Sequence, residues 1–316
     1  MYREEIKVLD CTVRDGGLIN DHFFEDNFVR EIYGAISASG VDYMEIGYKA
    51  SKEILSPDEF GKWKFCDEDD IKKAIDGIEK NTKLSAMVDI GRVEKKHIIP
   101  AKDSVLDMMR VACYVKDVDK AIDLVNEMDS KGYETTINIM AVSKAIEVEL
   151  DEALDQIEKE TKVKAVYVVD SFGSLYSENV HYLVNKYRTH LKTKEVGMHA
   201  HNNQQLAYAN TIEAIRKGAN FVDATVYGIG RGAGNCPLEL LVGFLKNPKF
   251  DIRPILEIIE KEMLPLRQEI EWGYIIPYAI TGMFNEHPRA AMALRKTENR
   301  DKYREFYDTI AAAEAD

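Results

Sequence analysis

No apolar run in this chain reaches the roughly 18 residues that a membrane-crossing helix needs. The first residues, Met1-Tyr2-Arg3-Glu4-Glu5, are too polar for a secretory signal. A cytoplasmic protein with no membrane partner is expected. Cysteine is scarce: Cys11, Cys66, Cys113 and Cys236 are scattered without a Cys-x-x-Cys pair, which argues against a thiolate zinc site and for reduced thiols. Positive charge is also in deficit. The 42 Lys and Arg residues stand against 55 Asp and Glu, and a formal net charge of −13 disfavours binding to a phosphate backbone, so no nucleic-acid partner is expected. With only 19 Gly and 8 Pro in 316 residues, nothing suggests disorder. The length suits one large α/β domain or two smaller ones.

What is present is a regular alternation. Short β-branched apolar runs exchange with helical patterns about every 30 residues, as in repeated βα units around a parallel sheet. Strands are expected over 6–12, 42–48, 84–90, 106–114, 135–141, 165–170, 195–201 and 221–227. Helices are expected over 25–39, 68–81, 93–103, 117–130, 147–161, 177–191 and 204–217, with a short one from Pro237. Eight such units predict a (β/α)8 TIM barrel over 1–248, with an open doubly wound sheet as the alternative. The remainder, 249–316, is expected to be a helical C-terminal extension packed on the barrel. One connection, Lys49 to Cys66, is unusually long, and reads as a lid or an acceptor pocket. Its Lys49, Lys52, Lys62 and Lys64 would suit an anionic group, or are simply solvated.

The segment Gly197-Met198-His199-Ala200-His201-Asn202-Asn203 concentrates the chemistry. On a strand His199 and His201 face the same side, about 7 Å apart along the backbone, and can grip one ion. Asp15 is the natural third ligand. In a barrel the strand ends converge, which gathers Arg14 and Asp15 after the first strand, Glu45 in the second, Ser171 after the sixth and Asn235 after the eighth. Mixed imidazole and carboxylate ligands with open positions suit a divalent metal ion, Mn²⁺, Mg²⁺, Co²⁺ or Zn²⁺. Such an ion polarises a carbonyl and holds the enolate beside it, and Arg14, permanently charged, could neutralise the enolate oxygen. The bland alternatives are a solvated histidine pair and a structural ion pair between Arg14 and Asp15 or Glu45. The glycine-rich 228–235 segment lacks the Lys-Ser/Thr of a P-loop and opens no dinucleotide-binding unit. Its glycines are read as turning the backbone over the barrel mouth and presenting Asn235.

Arg14-Asp15 with Glu45, His199-Ala200-His201-Asn202, and Gly230-Arg231-Gly232-Ala233-Gly234-Asn235 together resemble the DRE-TIM metallolyase superfamily, over roughly Ile6 to Leu245. Within it the pattern is most similar to the 4-hydroxy-2-oxovalerate aldolases, through Tyr167-Val168-Val169-Asp170-Ser171 and Asn235 followed by Pro237-Leu238-Glu239. The resemblance implies a divalent-metal-dependent aldolase or lyase acting on a carbon–carbon bond through a pyruvate enolate, with Mn²⁺ or Mg²⁺ favoured over Co²⁺ or Zn²⁺. It implies a small 2-oxo acid and an aldehyde as reactants, and a homo-oligomer. It assigns the metal to Asp15, His199 and His201, enolate stabilisation to Arg14, and the pyruvyl carboxylate to Ser171. Glu45 and Asn235 are expected on the substrate side. Where the aldolases carry a catalytic His and the condensing synthases a Gln, three residues after the metal-binding Asp, this chain has Leu18. His22 in the same loop is a substitute base. Tyr278, in a Gly-Tyr-x-x-x-Tyr segment like that of the aldolases, is a candidate acid. A Claisen condensation of an acyl-CoA with a 2-oxo acid, and a barrel that only binds metal or ligand, are the alternatives. The region after Leu245 matches poorly and gives no ground for expecting a dehydrogenase partner.

Overall fold

The structure, a computed structural model, describes residues 3–315. Strands β1 (Lys7–Asp10), β2 (Tyr43–Tyr48), β3 (Lys83–Asp89), β4 (Met108–Cys113), β5 (Glu134–Ile139), β6 (Ala165–Asp170), β7 (Glu195–Ala200) and β8 (Phe221–Ala224) pair in chain order. All are parallel, and β8 returns to β1, closing the expected barrel. The strands read as nearly continuous apolar runs because both of their faces are covered. Val8, Met44, Val166 and Val168 point outward into the layer beneath the helices. Leu9, Tyr43, Met108, Tyr167 and Phe221 point inward and fill the barrel. Each such side chain contributes about 1.5–3 kcal/mol when fully buried. Gly197 is part of that filling: a Cβ there would lie 2.5 Å from the Tyr167 ring, so the position must be bare for Tyr167 to occupy the interior.

Several boundaries differ from expectation, each for a local reason. β1 ends at Asp10, whose carboxylate accepts from the backbone N–H (3.1 Å) and hydroxyl (2.5 Å) of Thr12. The chain then turns into a short helix, Thr12–Gly16, so Arg14 and Asp15 sit on a helical turn over the barrel mouth rather than on an extended strand. The helix from Glu68 stops at Ile75, short of Gly77, which has a left-handed backbone (φ 72°). The helix expected over 93–103 is replaced by two 3-10 turns, Lys95–His97 and Ala101–Asp103, because Pro100 between them has no N–H and restricts Ile99. The Lys49–Cys66 connection is packed down at its C-terminal end. Trp63, Lys64, Phe65 and Cys66 are buried, the Trp63 indole donates to Phe24 O (2.9 Å) and Lys49 Nζ donates to Cys66 O (2.8 Å).

Beyond the barrel, helices run over Arg253–Ile258, Leu264–Glu269, Ile276–Met283, Arg289–Arg295 and Tyr303–Ala315. The first packs on the helix Asp26–Ala38. The others approach the barrel mouth: Trp272 Nε1 donates to Tyr227 O (3.2 Å), Gly273 N to Gly232 O (3.0 Å) and Asn203 Nδ2 to Tyr278 O (3.3 Å). Among the described residues no helix is long and apolar enough to cross a membrane.

Candidate active site

Alternation along the strands sends every second residue into the barrel, and above the apolar layer those residues are charged. Glu45 follows Tyr43, Arg110 follows Met108, His199 follows Gly197 and Asp223 follows Phe221. They form a closed circuit with Arg14 and Asp15. Arg14 Nε donates to Glu45 Oε2 (2.5 Å) and its Nη1 to Asp15 Oδ2 (2.7 Å). Arg110 Nη1 meets Glu45 Oε2 (3.0 Å) and Nη2 meets Asp223 Oδ2 (2.6 Å), while its guanidinium lies 4.5 Å from the centre of the Tyr167 ring. Asp223 Oδ2 holds His199 Nδ1 (2.9 Å), and His199 Nε2 lies 3.3 Å from Asp15 Oδ2. All six groups are buried. Burial opposes the charges of Arg14, Asp15, Arg110, His199 and Asp223, and their neighbours outweigh it. Arg14 and both imidazoles hold the Asp15 carboxyl well below the usual range, and Arg110 with His199 lowers that of Asp223.

Asp15, His199 and His201 bring one ligand atom each to within 4.8 Å of one another. The hydrogen bonds settle which imidazole nitrogens are available. His201 Nδ1 faces the backbone carbonyl of Asp170 (2.9 Å), which can only accept, so Nδ1 carries the proton and Nε2 presents its lone pair. Nε2 of His201 points back to Asp15 Oδ2, 3.7 Å away. His199 is held likewise through Nδ1 by Asp223. Asp15 Oδ1 is buried without a hydrogen-bond partner. Two free Nε2 atoms, an orphaned carboxylate oxygen and outer partners fixing both rings are what a divalent cation requires, and the residues fit one. Burial works against a proton on His199, but Asp15 and Asp223 raise its affinity above the ordinary value, so in the metal-free protein a proton competes for the same lone pair.

A cavity of about 480 Å³ opens directly over this triad. Arg14, Asp15, His199, His201 and Ser171 line it, with Leu18, Tyr48, Met87 and Ala112 as an apolar wall. Ser171 Oγ accepts from Ala141 N–H (2.8 Å), which leaves its own hydroxyl proton to be donated elsewhere. The other expected site residues lie elsewhere. Glu45 sits behind Arg14 and is no part of the cavity wall, because both guanidiniums draw its carboxylate into the barrel. Asn235 is also behind the wall: its Nδ2 donates to Ile229 O (2.9 Å), which braces the glycine-rich turn, and its Oδ1 is buried without a partner. His22, expected as a substitute base, is 1% exposed, lies edge-on to Tyr48 (5.2 Å) and does not line the cavity. Burial, with Lys64 and Arg14 nearby, pulls its pKa down to about 3, so it stays uncharged. Tyr278 packs against Gly232, Ala233, Ile280, Ala291 and Phe306 and does not line the cavity.

Arg110 and Asp223, which were not among the expected site residues, belong to the site, and so does Lys64, expected only with its loop neighbours to suit an anionic group or to be solvated. Arg110 and Asp223 were hidden inside strands that read as plain core, although an unpaired charge in such a run is itself a signal, since it must find a partner inside. Lys64 was one lysine among several in the long connection. Its side chain is 3% exposed, lines the cavity and stands 3.6 Å over the Tyr48 ring.

Comparison with known proteins agrees with this geometry. The HMGL-like family model matches residues 5–260. The oxaloacetate decarboxylase of Mycobacterium tuberculosis is 32% identical over 301 residues, covering 92% of this chain and 87% of that protein. The 4-hydroxy-2-oxovalerate aldolase of Thermus thermophilus is 29% identical over 263 residues, covering 82% and 75%. Among solved structures, the N-terminal domain of a candidate aldolase from Bacteroides vulgatus superposes with a TM-score of 0.79 at 29% identity, covering 93% of this chain and 98% of that one. The carboxyl transferase domain of Rhizobium etli pyruvate carboxylase shares the fold, with a TM-score of 0.74 at 15% identity over 99% of this chain and 57% of that one. The chain belongs to the HMGL-like family and is a metal-dependent carbon–carbon lyase.

Proposed function

We propose that the protein cleaves the C3–C4 bond of a 4-hydroxy-2-oxo acid, releasing an aldehyde and the enolate of pyruvate, with Mn²⁺ or Mg²⁺ as the resident ion. The observation that carries this reading is the convergence of Asp15, His199 and His201 beneath a cavity with the Arg14 guanidinium beside them. Bound there, the ion supplies Lewis acidity at the 2-oxo group. The protein's own groups do the rest. Arg14, fixed by Glu45 and Asp15, offers a stationary positive charge to the oxygen that becomes negative when the bond breaks, and needs no rearrangement to do so. The Ser171 hydroxyl is free to donate to the substrate carboxylate. The apolar wall of Leu18, Met87 and Ala112 keeps water from the carbanion face of the enolate.

A second reading shares the same enolate: loss of carbon dioxide from a 2-oxo acid carrying a 3-carboxylate, such as oxaloacetate. Leu18 favours it, because decarboxylation draws its electrons from the departing carboxylate and needs no base to begin, and the Mycobacterium tuberculosis relative bears that name. The test common to both is exchange of the pyruvate methyl protons into heavy water, followed by NMR, with Mn²⁺ or Mg²⁺ and with chelator. Exchange that depends on the ion is the expected result. A protein that binds the ion yet exchanges nothing, and cleaves neither 4-hydroxy-2-oxo acids nor oxaloacetate, would overturn both readings and leave the acyl-CoA condensation and the binding barrel as alternatives. Release of aldehyde against release of carbon dioxide separates the two readings.

A further inference from the structure

We infer that Lys64 is the proton-transfer group of this site, its amine lining the same cavity as the metal-binding triad. The inference rests on the enolate-forming reading above. Making or consuming an enolate requires a group that takes up and returns a proton, and the cavity offers few. Leu18 and Met87 have no proton to give. Asp89 and Asp117 are engaged by Arg92 (3.2 Å) and Lys120 (2.6 Å). Burial raises the Tyr48 phenol far above neutrality. His287 stands beside Arg231 and Arg289, whose charges resist adding a proton to it; burial and those charges bring its pKa down to about 4.

Lys64 differs from all of these. Its side chain is nearly inaccessible, yet no carboxylate lies within ion-pair reach and no acceptor within hydrogen-bond reach of its Nζ among the described residues. It is held instead by the faces of Tyr48 (3.6 Å) and Phe60 (5.8 Å), contacts that fix the amine without consuming a proton or a lone pair. Tyr48 also packs beside Leu18, so the amine arrives over the same apolar wall. The groups facing it are Asp89, Arg92, Arg14 and Cys66, with His22 behind Tyr48. Burial first, then Arg92 and Arg14 against the opposing pull of Asp89, bring the lysine down to about 8, where both of its forms are present near neutral pH.

The step balances within the site. The neutral amine takes the proton of the 4-hydroxyl, the new C=O forms as the C3–C4 bond breaks, and that electron pair becomes the C2–C3 double bond of the enolate. The ammonium then returns the same proton to C3, giving pyruvate. With pyruvate alone in heavy water, the amine removes a methyl proton, exchanges it with solvent and returns a deuteron.

The test compares methyl exchange and Mn²⁺ affinity, by calorimetry, in the whole protein and in Lys64→Met, Lys64→Arg and Lys64→Ala. Lys64→Met and Lys64→Arg are expected to lose about 10²–10⁴-fold in exchange rate with Mn²⁺ affinity unchanged, since neither can take a proton at neutral pH. Added methylamine is expected to restore part of the rate in Lys64→Ala and none in Lys64→Arg. In the metal-free protein, acetic anhydride labelling of Lys64 should rise with a midpoint near pH 8. Exchange within threefold of the parent in Lys64→Arg would overturn the assignment while leaving the enolate reading intact. Absence of exchange in the metal-loaded parent would remove both.

Discussion

Replacing Arg110 with Met keeps an unbranched apolar stem and removes the guanidinium with its charge and donors, so it tests what that head group does inside the barrel. Arg110 is fully buried and joins two carboxylates, Glu45 at 3.0 Å and Asp223 at 2.6 Å. Each hydrogen bond to a charged partner is worth about 1.5–3 kcal/mol, so the two together set a loss of about 3–6 kcal/mol. That agrees with the roughly 3–5 kcal/mol typical when one partner of a buried ion pair is removed. The sign of the pH dependence follows. Without the cation, Asp223 loses the interaction that holds its carboxyl below the ordinary value, and burial then raises it, so the folded variant binds more protons than the unfolded chain. Its deficit is therefore full at pH 8 and shrinks as pH falls and the stranded Asp223 carboxylate protonates. Urea unfolding followed by far-ultraviolet circular dichroism at pH 8 and pH 5.5 measures both quantities. A deficit under about 1 kcal/mol at pH 8, against the roughly 3–6 expected for two buried charged contacts, or one that grows on acidification, would refute the circuit as described.

Other expectations concern the ion and its surroundings. Asp223→Asn removes the carboxylate behind His199 and should lower Mn²⁺ affinity about 10–100-fold in calorimetry, with smaller effects on stability than the Arg110 change; unchanged affinity would show that the outer partner is idle. Because Asp15 and Asp223 raise the proton affinity of His199, Mn²⁺ binding should release a proton and weaken by about tenfold per pH unit once the pH is below that pKa, which titration in buffers of different ionisation enthalpy would detect. Oxalate, a mimic of the pyruvate enolate, should bind at least about tenfold more tightly with Mn²⁺ than with chelator present, an effect of about 1.4 kcal/mol or more. Equal affinities would place the anion site away from the triad.

The fold was legible because barrel strands obey a simple rule: residues that alternate in and out are apolar on both sides, and eight such runs separated by amphipathic helices leave few arrangements. His199 and His201 were legible for the same reason, since a strand puts alternate residues on one side. Asp15 needed more, because its place depends on the helical turn that Asp10 and Thr12 start at the end of β1, and pattern alone extends the strand past that point. Arg110 and Asp223 escaped because each is a lone charge whose partner is supplied by a strand far along the chain. Lys64 escaped for the opposite reason. It stands in a run with Lys49, Lys52 and Lys62, and nothing local distinguishes the one lysine that folds inward over Tyr48 from those that pair with acids at the surface. Tyr278 matched a sequence pattern, yet the close approach of its ring to Gly232 packs it under the mouth loop rather than into the cavity.

Charge balance explains why so polar a layer can sit on an apolar core. Asp15, Glu45 and Asp223 carry three negative charges, Arg14 and Arg110 two positive ones, and the imidazoles, when free to bind an ion, none. The layer therefore holds one uncompensated negative charge in a place where burial makes it expensive. A divalent cation would reverse that to one positive charge, and the carboxylate of a 2-oxo acid would neutralise it. The loaded layer thus adds to the pull on an anionic substrate that Arg92, Arg231 and Arg289 exert from the same cavity wall. The same accounting locates the proton. When the enolate forms, the added negative charge is offset if the departing proton stays within the cavity, and an amine that alternates between neutral and charged close to neutral pH keeps it there. Asp15 and Asp223 cannot, because the guanidiniums that hold the circuit together also hold their protons off.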